Sequence, residues 1–205
     1  MNQYATPLFD AVRRYINDGV TPFHVPGHRQ GRGIPEMLDY IGATALQMDL
    51  NGMQDLDYIN HPCGVIREAQ QLLAQAFAAQ ESYFLVNGTT SGVQAMIMSA
   101  CQPGDKIILP RNAHRSTIGG IILSGAVPVY IPPEIDSELG IAMGVTPESL
   151  ETAISRHPDA RAVFLIHPTY YGFTSDIQTL IELAHRNNIA VLVDEAHGAH
   201  LGFHP

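Results

Sequence analysis

From Tyr83 to Val193 the chain alternates short apolar runs with segments of helical periodicity, and that alternation restricts it to few folds. Tyr83-Phe84-Leu85-Val86, Ile107-Ile108-Leu109, Val127-Pro128-Val129-Tyr130-Ile131, Ala162-Val163-Phe164-Leu165-Ile166 and Ile189-Ala190-Val191-Leu192-Val193 read as strands. Asn87-Gly88-Thr89-Thr90-Ser91-Gly92 reads as a turn leading into a helix through Met98, and further helices are expected over His114 to Leu123, after Thr146, and over Ile177 to Asn187. Thr146-Pro147-Glu148-Ser149 has the chemistry of a helix start, with Thr146 as N-cap, Pro147 at N1 and Ser149 at N3. Pro128 lacks a ladder donor and points to an edge position or a strand end. The pattern predicts an α/β fold with a mostly parallel sheet.

Upstream the signals are weaker. Tyr4 to Asn17 can form a short amphipathic helix with Leu8, Val12, Tyr15 and Ile16 on one side. Thr21 to Gly31 is too rich in Pro and Gly for regular structure; His24, His28 and Arg29 make it either a plain loop or a ligand-facing arm. Met48 to Gly64 shows no periodicity, and its Asp49, Asp55 and Asp57 are either solvated or face a cationic substrate or a partner subunit. Val65 to Ala79 is helical, with a core stripe of Val65, Ala69, Leu72, Leu73, Ala76 and Phe77.

Composition narrows the partners. Of 205 residues, 45% are hydrophobic and 15% charged, which describes a globular chain with a sizeable core. With 11 basic and 20 acidic residues the net charge is −9, which argues against nucleic-acid and anionic-membrane binding. The two cysteines, Cys63 and Cys101, lack CxxC spacing, so a disulfide scaffold is not expected and a reducing cytoplasm fits. The start MNQYATPLFDAV has no leader pattern, and no apolar run reaches about 18 residues, so neither a signal peptide nor a membrane span is expected.

The richest stretch is VLVDEAHGAH, Val191 to His200, where the last strand ends on Asp194 and Glu195. In an open α/β sheet, ligands bind outside the carboxyl ends of the strands, so Asp194 is placed toward a crevice. A buried carboxylate there needs a cation. Mg²⁺ in a nucleoside triphosphatase would require a Gly-Lys-Ser/Thr phosphate loop. The single lysine, Lys106, follows Pro103-Gly104-Asp105 and belongs to no such loop. A metal held by Asp194, His197 and His200 is a weak signal without a helical HExxH context. A protonated pyridine nitrogen is the third candidate, since an Asp keeps the ring of pyridoxal phosphate positive. The plain alternative is a helix cap. Other strand ends offer matching groups: Thr89, Thr90 and Ser91 for a single phosphate at a helix start, His114 and Arg115 after the second strand, and Thr169, Tyr170 and Tyr171 after the fourth.

FHVPGHRQG, LDYINHPCGVIREAQ, VNGTTSGVQAMI, GDKIILPRNAHRS, LSGAVPVYIPPE, HPTYYG and VLVDEAHGAH, in this order, resemble the pyridoxal-phosphate-dependent Orn/Lys/Arg decarboxylase family over essentially the whole chain. Its compact bacterial branch, without a receiver-like N-terminal domain, is the most similar part. The resemblance implies an aminotransferase-like fold type I with a three-layer α/β/α large domain: an N-terminal arm over 1–64, then the first part of the cofactor-binding domain over 65–205. It further implies pyridoxal 5'-phosphate as cofactor, Thr90 and Ser91 on its phosphate, His114 stacked on its ring and handling protons, Asp194 on the ring nitrogen, His197 beside it, and Thr169 at the rim; no metal is implied. The substrate would be arginine, lysine or ornithine, in polyamine supply, and the enzyme a homodimer or higher homo-oligomer. The family's cofactor-bearing lysine lies in a Ser-x-His-Lys segment after DEAHGAH, and its small C-terminal domain later still. Neither is within these residues, so this chain alone is expected to bind cofactor weakly and not to turn over. The alternatives are another fold type I enzyme, such as an aminotransferase, and a non-catalytic homologue that binds a partner subunit.

Overall fold

A computed structural model describes residue 2 and residues 4–203 of the chain. Two compact units divide between Phe84 and Leu85.

In the first unit α1 (Pro7–Asn17), α2 (Pro35–Ile41), α3 (Ala43–Met48) and α4 (Val65–Ala76) are joined by irregular segments. Pro7 opens α1 where its missing N–H costs nothing, so the helix starts after Tyr4 rather than at it. Ala11, Tyr15 and Leu56 are buried, with Val12, Leu50, Met53 and Val65 packed against them. The Pro/Gly-rich loop is irregular, and its histidines bond within the unit: Tyr15 Oη lies 2.7 Å from His24 Nε2, and His28 Nε2 lies 3.1 Å from Asp49. The buried residues of α4 are Ile66, Gln70 and Ala74, one position off the expected stripe, and Phe77 is exposed. Ala69 and Leu72 instead line an apolar groove with Leu8, Val12 and Phe84.

Asp57 corrects the reading of the acidic segment. It is 5% exposed and accepts from the N–H groups of Tyr58, Cys63, Gly64, Ile66 and Arg67 over 2.7–3.4 Å. Ile66 and Arg67 lie in the first turn of α4, whose N-cap position, Gly64, has no side chain to offer. Asp57 is thus neither solvated nor turned to a substrate: it caps α4 from a distance. Burial works against its charge, but the N–H groups of Cys63, Tyr58, Gly64 and Arg67 outweigh it and hold the carboxyl well below its ordinary range.

The second unit is a parallel four-stranded sheet of β1 (Lys106–Pro110), β2 (Val127–Ile131), β3 (Ala160–Ile166) and β4 (Ala190–Asp194), in the order β2-β1-β3-β4. Pro128 lies on the edge strand β2. Helices α5 (Gly88–Ala100), α6 (Arg115–Ser124), α7 (Pro147–Arg156) and α8 (Ile177–Arg186) cover both faces. Strand periodicity sorts the core: Ile107, Leu109, Ala162 and Phe164 pack with Val93, Ile97 and Ile121 of α5 and α6. Ile108, Val163 and Leu165 pack with Leu150 and Ile154 of α7 and with Leu180 and Ala184 of α8. This is the expected three-layer α/β/α arrangement. Thr146 caps α7 by accepting from Ser149 N–H at 3.2 Å, as its sequence indicates.

Two expectations differ. Tyr83 to Val86 forms no strand, and Tyr83, Leu85 and Val86 are exposed. β propensity does not hold a strand without a neighbour to pair with. Second, most of Asn87 to Gly92 is not a turn but the opening of α5, which begins at Gly88.

Candidate active site

The chain turns one way from β1 to β2 and the other way from β3 to β4, so the sheet has its switch point between β1 and β3. At the carboxyl ends of such strands the loops diverge and leave a crevice. An open cleft of about 480 Å³ lies there, within the range of small-molecule sites. Among the predicted residues, Thr90, His114, Thr169, Asp194 and His197 all line it. Ser91 is not on the lining; its Oγ donates to Gly88 O at 2.9 Å. Arg115 also lies off the lining.

Each side chain is placed by the end of its element. Asn87, at the N-cap position of α5, makes no side-chain cap, and Gly88 adopts φ 64°. The first turn of α5 therefore presents N–H groups beside the Thr89 and Thr90 hydroxyls, with the positive end of the helix behind them. His114 is the N-cap of α6, its Nδ1 accepting from Ser116 N–H at 3.2 Å and lying 2.8 Å from Ser116 Oγ. Thr169 is buried in a tight turn: its N–H donates to Phe173 O at 2.8 Å, and its Oγ1 and carbonyl accept from Phe173 and Gly172 N–H. The turn holds Tyr170 and Tyr171 edge to face, ring centres 5.4 Å apart, and Tyr170 stands edge-on to His197 at 6.0 Å.

Asp194 ends β4 and is 7% exposed. Its side chain accepts from Ala196 N–H at 3.1 Å, and among the described residues no cationic group pairs with it. Such a carboxylate is costly by itself and is suited to meeting a cation brought by a ligand. Among the described residues no group of three or more His, Cys, Asp or Glu is placed to hold a metal ion. Lys106 opens β1 at the opposite end of the sheet and pairs with Asp159 at 2.8 Å.

Four further lining residues carry weaker sequence signals. Asn112 follows β1, and its Oδ1 is buried without a hydrogen-bond partner among the described residues. Ser116 reads in sequence only as part of a helix start. Ile141 and Ala142 arrive on the long loop after β2, which has no periodicity to place it.

The family model for Orn/Lys/Arg decarboxylase, major domain, matches residues 6–205. An arginine decarboxylase of Bacillus subtilis is 46% identical over 205 residues, covering 100% of this chain and 42% of that protein. Lysine decarboxylase A from Pseudomonas aeruginosa superimposes with a TM-score of 0.72 at 27% identity, over 86% of this chain and 26% of that one. The Francisella novicida lysine decarboxylase shares the fold, with a TM-score of 0.84 at 23% identity over 100% of this chain and 30% of that one. The chain thus spans 42% of the length of the Bacillus subtilis relative. With that model matching nearly the whole chain, and residues of VNGTTSG, PRNAHRS, HPTYYG and VLVDEAH lining one cleft, the chain belongs to the Orn/Lys/Arg decarboxylase family.

Proposed function

We propose that the protein containing this chain decarboxylates a basic amino acid with pyridoxal 5'-phosphate, releasing carbon dioxide and the corresponding amine. The observation that carries this reading is Asp194, a buried carboxylate with no cationic partner among the described residues, facing the cleft that Thr90, His114, Thr169 and His197 also line. The donor set suits the cofactor: an uncapped helix start with two threonine hydroxyls for a phosphate, and a lone carboxylate for a pyridinium N–H. When bound, the cofactor supplies an electron sink for the pair left as the carboxylate departs.

Asp194 would accept the ring N–H and keep that nitrogen positive. Thr90 would donate to the phosphate, and Ser91 would join it by turning its hydroxyl away from Gly88 O. His114 would cover the ring and handle protons through Nε2. His197 and Thr169 would close the rim. Arginine is the substrate favoured here, because relatives 46% identical over the whole chain are named arginine decarboxylases. Polyamine supply, a cytoplasmic setting and a homodimer or higher homo-oligomer belong to the same proposal; exposed apolar Val86, Ile122 and Leu123 support self-association.

The test is the intact protein, supplied with cofactor and offered arginine, lysine and ornithine in turn. Visible cofactor absorbance and stoichiometric amine with carbon dioxide are expected, with arginine preferred. A 2-oxo acid product would replace this reading with an aminotransferase. An absence of bound cofactor would leave a non-catalytic partner-binding role.

A further inference from the structure

Ser116 is 4% exposed and lines the cleft, and its hydroxyl oxygen lies 2.8 Å from His114 Nδ1. The Ser116 backbone N–H reaches the same nitrogen at 3.2 Å. A backbone N–H can only donate, so Nδ1 is an acceptor and carries no proton. The hydroxyl must then donate to it as well. A neutral ring with an accepting Nδ1 bears its proton on Nε2, the tautomer being set by the partner of the other nitrogen. Among the described residues His114 Nε2 has no hydrogen-bond partner. We infer that Ser116 is a positioning residue: its hydroxyl and N–H together fix the His114 ring in the Nε2–H tautomer and set its angle at the mouth of α6. The catalytic consequence rests on the decarboxylase reading, whereas the tautomer does not.

The experiment is nitrogen-15 NMR of the histidine rings in the intact protein, paired with kinetics of Ser116→Ala and Ser116→Thr. In the wild type, His114 is expected to show a protonated Nε2 and a hydrogen-bonded, bare Nδ1, with or without cofactor. Ser116→Ala removes the stronger donor and keeps the backbone N–H. Its Nδ1 resonance should move toward that of a weakly bonded ring, and kcat should fall about tenfold with KM within about twofold, as when part of a general acid–base contribution is lost. Ser116→Thr returns the hydroxyl and should recover both. Ser116→Ala with unchanged ring shifts and unchanged kcat, or a wild-type ring protonated at Nδ1, overturns the inference. If Ser116→Ala does not fold, the wild-type tautomer and the threonine variant decide. A correct tautomer in a protein that decarboxylates nothing would sink the proposed function and leave the positioning role standing.

Discussion

The N–H of His167 donates to the carbonyl of Asp194 across 3.0 Å, carrying the β3–β4 ladder one bond beyond the register pair Ile166 and Asp194. The turn after Asp194 then folds back onto this junction. A Cβ on Gly198 would stand 2.6 Å from His167 O and 2.7 Å from Pro168 Cδ, and the first of these is backbone that cannot swing aside. Gly198→Ala is therefore expected to push the His197 turn off the strand ends, at a stability cost of about 1–3 kcal/mol. Thermal melting of the ligand-free protein reads the first effect, and cofactor titration reads the displaced cleft wall. An alanine variant that melts and binds as the wild type does would contradict the close approach.

Asp57 links the fold to acid. Its carboxyl is held below its ordinary value of 3.8, so the folded state favours the ionised form more than the unfolded chain does. That contribution is fully present above about pH 4 and is lost as the pH falls through the depressed folded value. Asp57→Asn turns an amide toward five N–H donors and is expected to cost about 2 kcal/mol near neutral pH. In an acid titration of stability, the wild type should decline toward the variant below about pH 4 rather than run parallel to it.

Asp194 should separate stability from function. Neutralising a buried carboxylate that has no cationic partner removes a desolvation cost. Asp194→Asn is thus expected to leave the melting temperature of the ligand-free protein unchanged or raised, while lowering kcat by about a hundredfold or more through loss of ring-nitrogen support. A variant that is both destabilised and fully active would place Asp194 in a scaffolding role instead.

Helices α5 and α6 meet through Gly120, where a Cβ would lie 2.8 Å from Ile97 Cδ1 and 3.3 Å from Gln94 Cα. Gly120→Ala gains helix propensity of about 1 kcal/mol but forces a core side chain and the neighbouring backbone. The steric effect is expected to win, and a lower melting temperature with an intact far-ultraviolet spectrum checks it.

The sheet and the cleft were readable because both rest on local patterns. Apolar runs at Ile107, Val127, Ala162 and Ile189 each found strand neighbours, and Thr146 has its cap within three residues. Asp194 could be placed toward a crevice because an apolar run that stops on a carboxylate marks the carboxyl end of its strand. What failed depended on partners far along the chain or on none. Tyr83 to Val86 has strand composition but no strand beside it among the described residues. Asp57 finds its donors up to ten positions onward, and nothing in an acidic loop announces a cap at that range. Helices α2 and α3, of 7 and 6 residues, are too short to show a period. Ser116 was hidden because serine near a helix start has an ordinary explanation, and only the distance to His114 gives it another.

The wall of the cleft is not drawn from one stretch of chain: Thr90 belongs to the first helix of the second unit and Asp194 to the last strand of its sheet. A site assembled from such distant positions cannot form in part, because each residue is aimed only after the strands between them are stacked in register. Loop-closure entropy has to be overcome before any of those groups can meet. A ligand that bridges the phosphate end and the Asp194 end would therefore act as a cross-brace on the whole sheet, stabilising β4 most, since among the described residues that strand is paired along one side only. Hydrogen exchange in β4 should slow on ligand binding by more than it does in β1, the interior strand between β2 and β3.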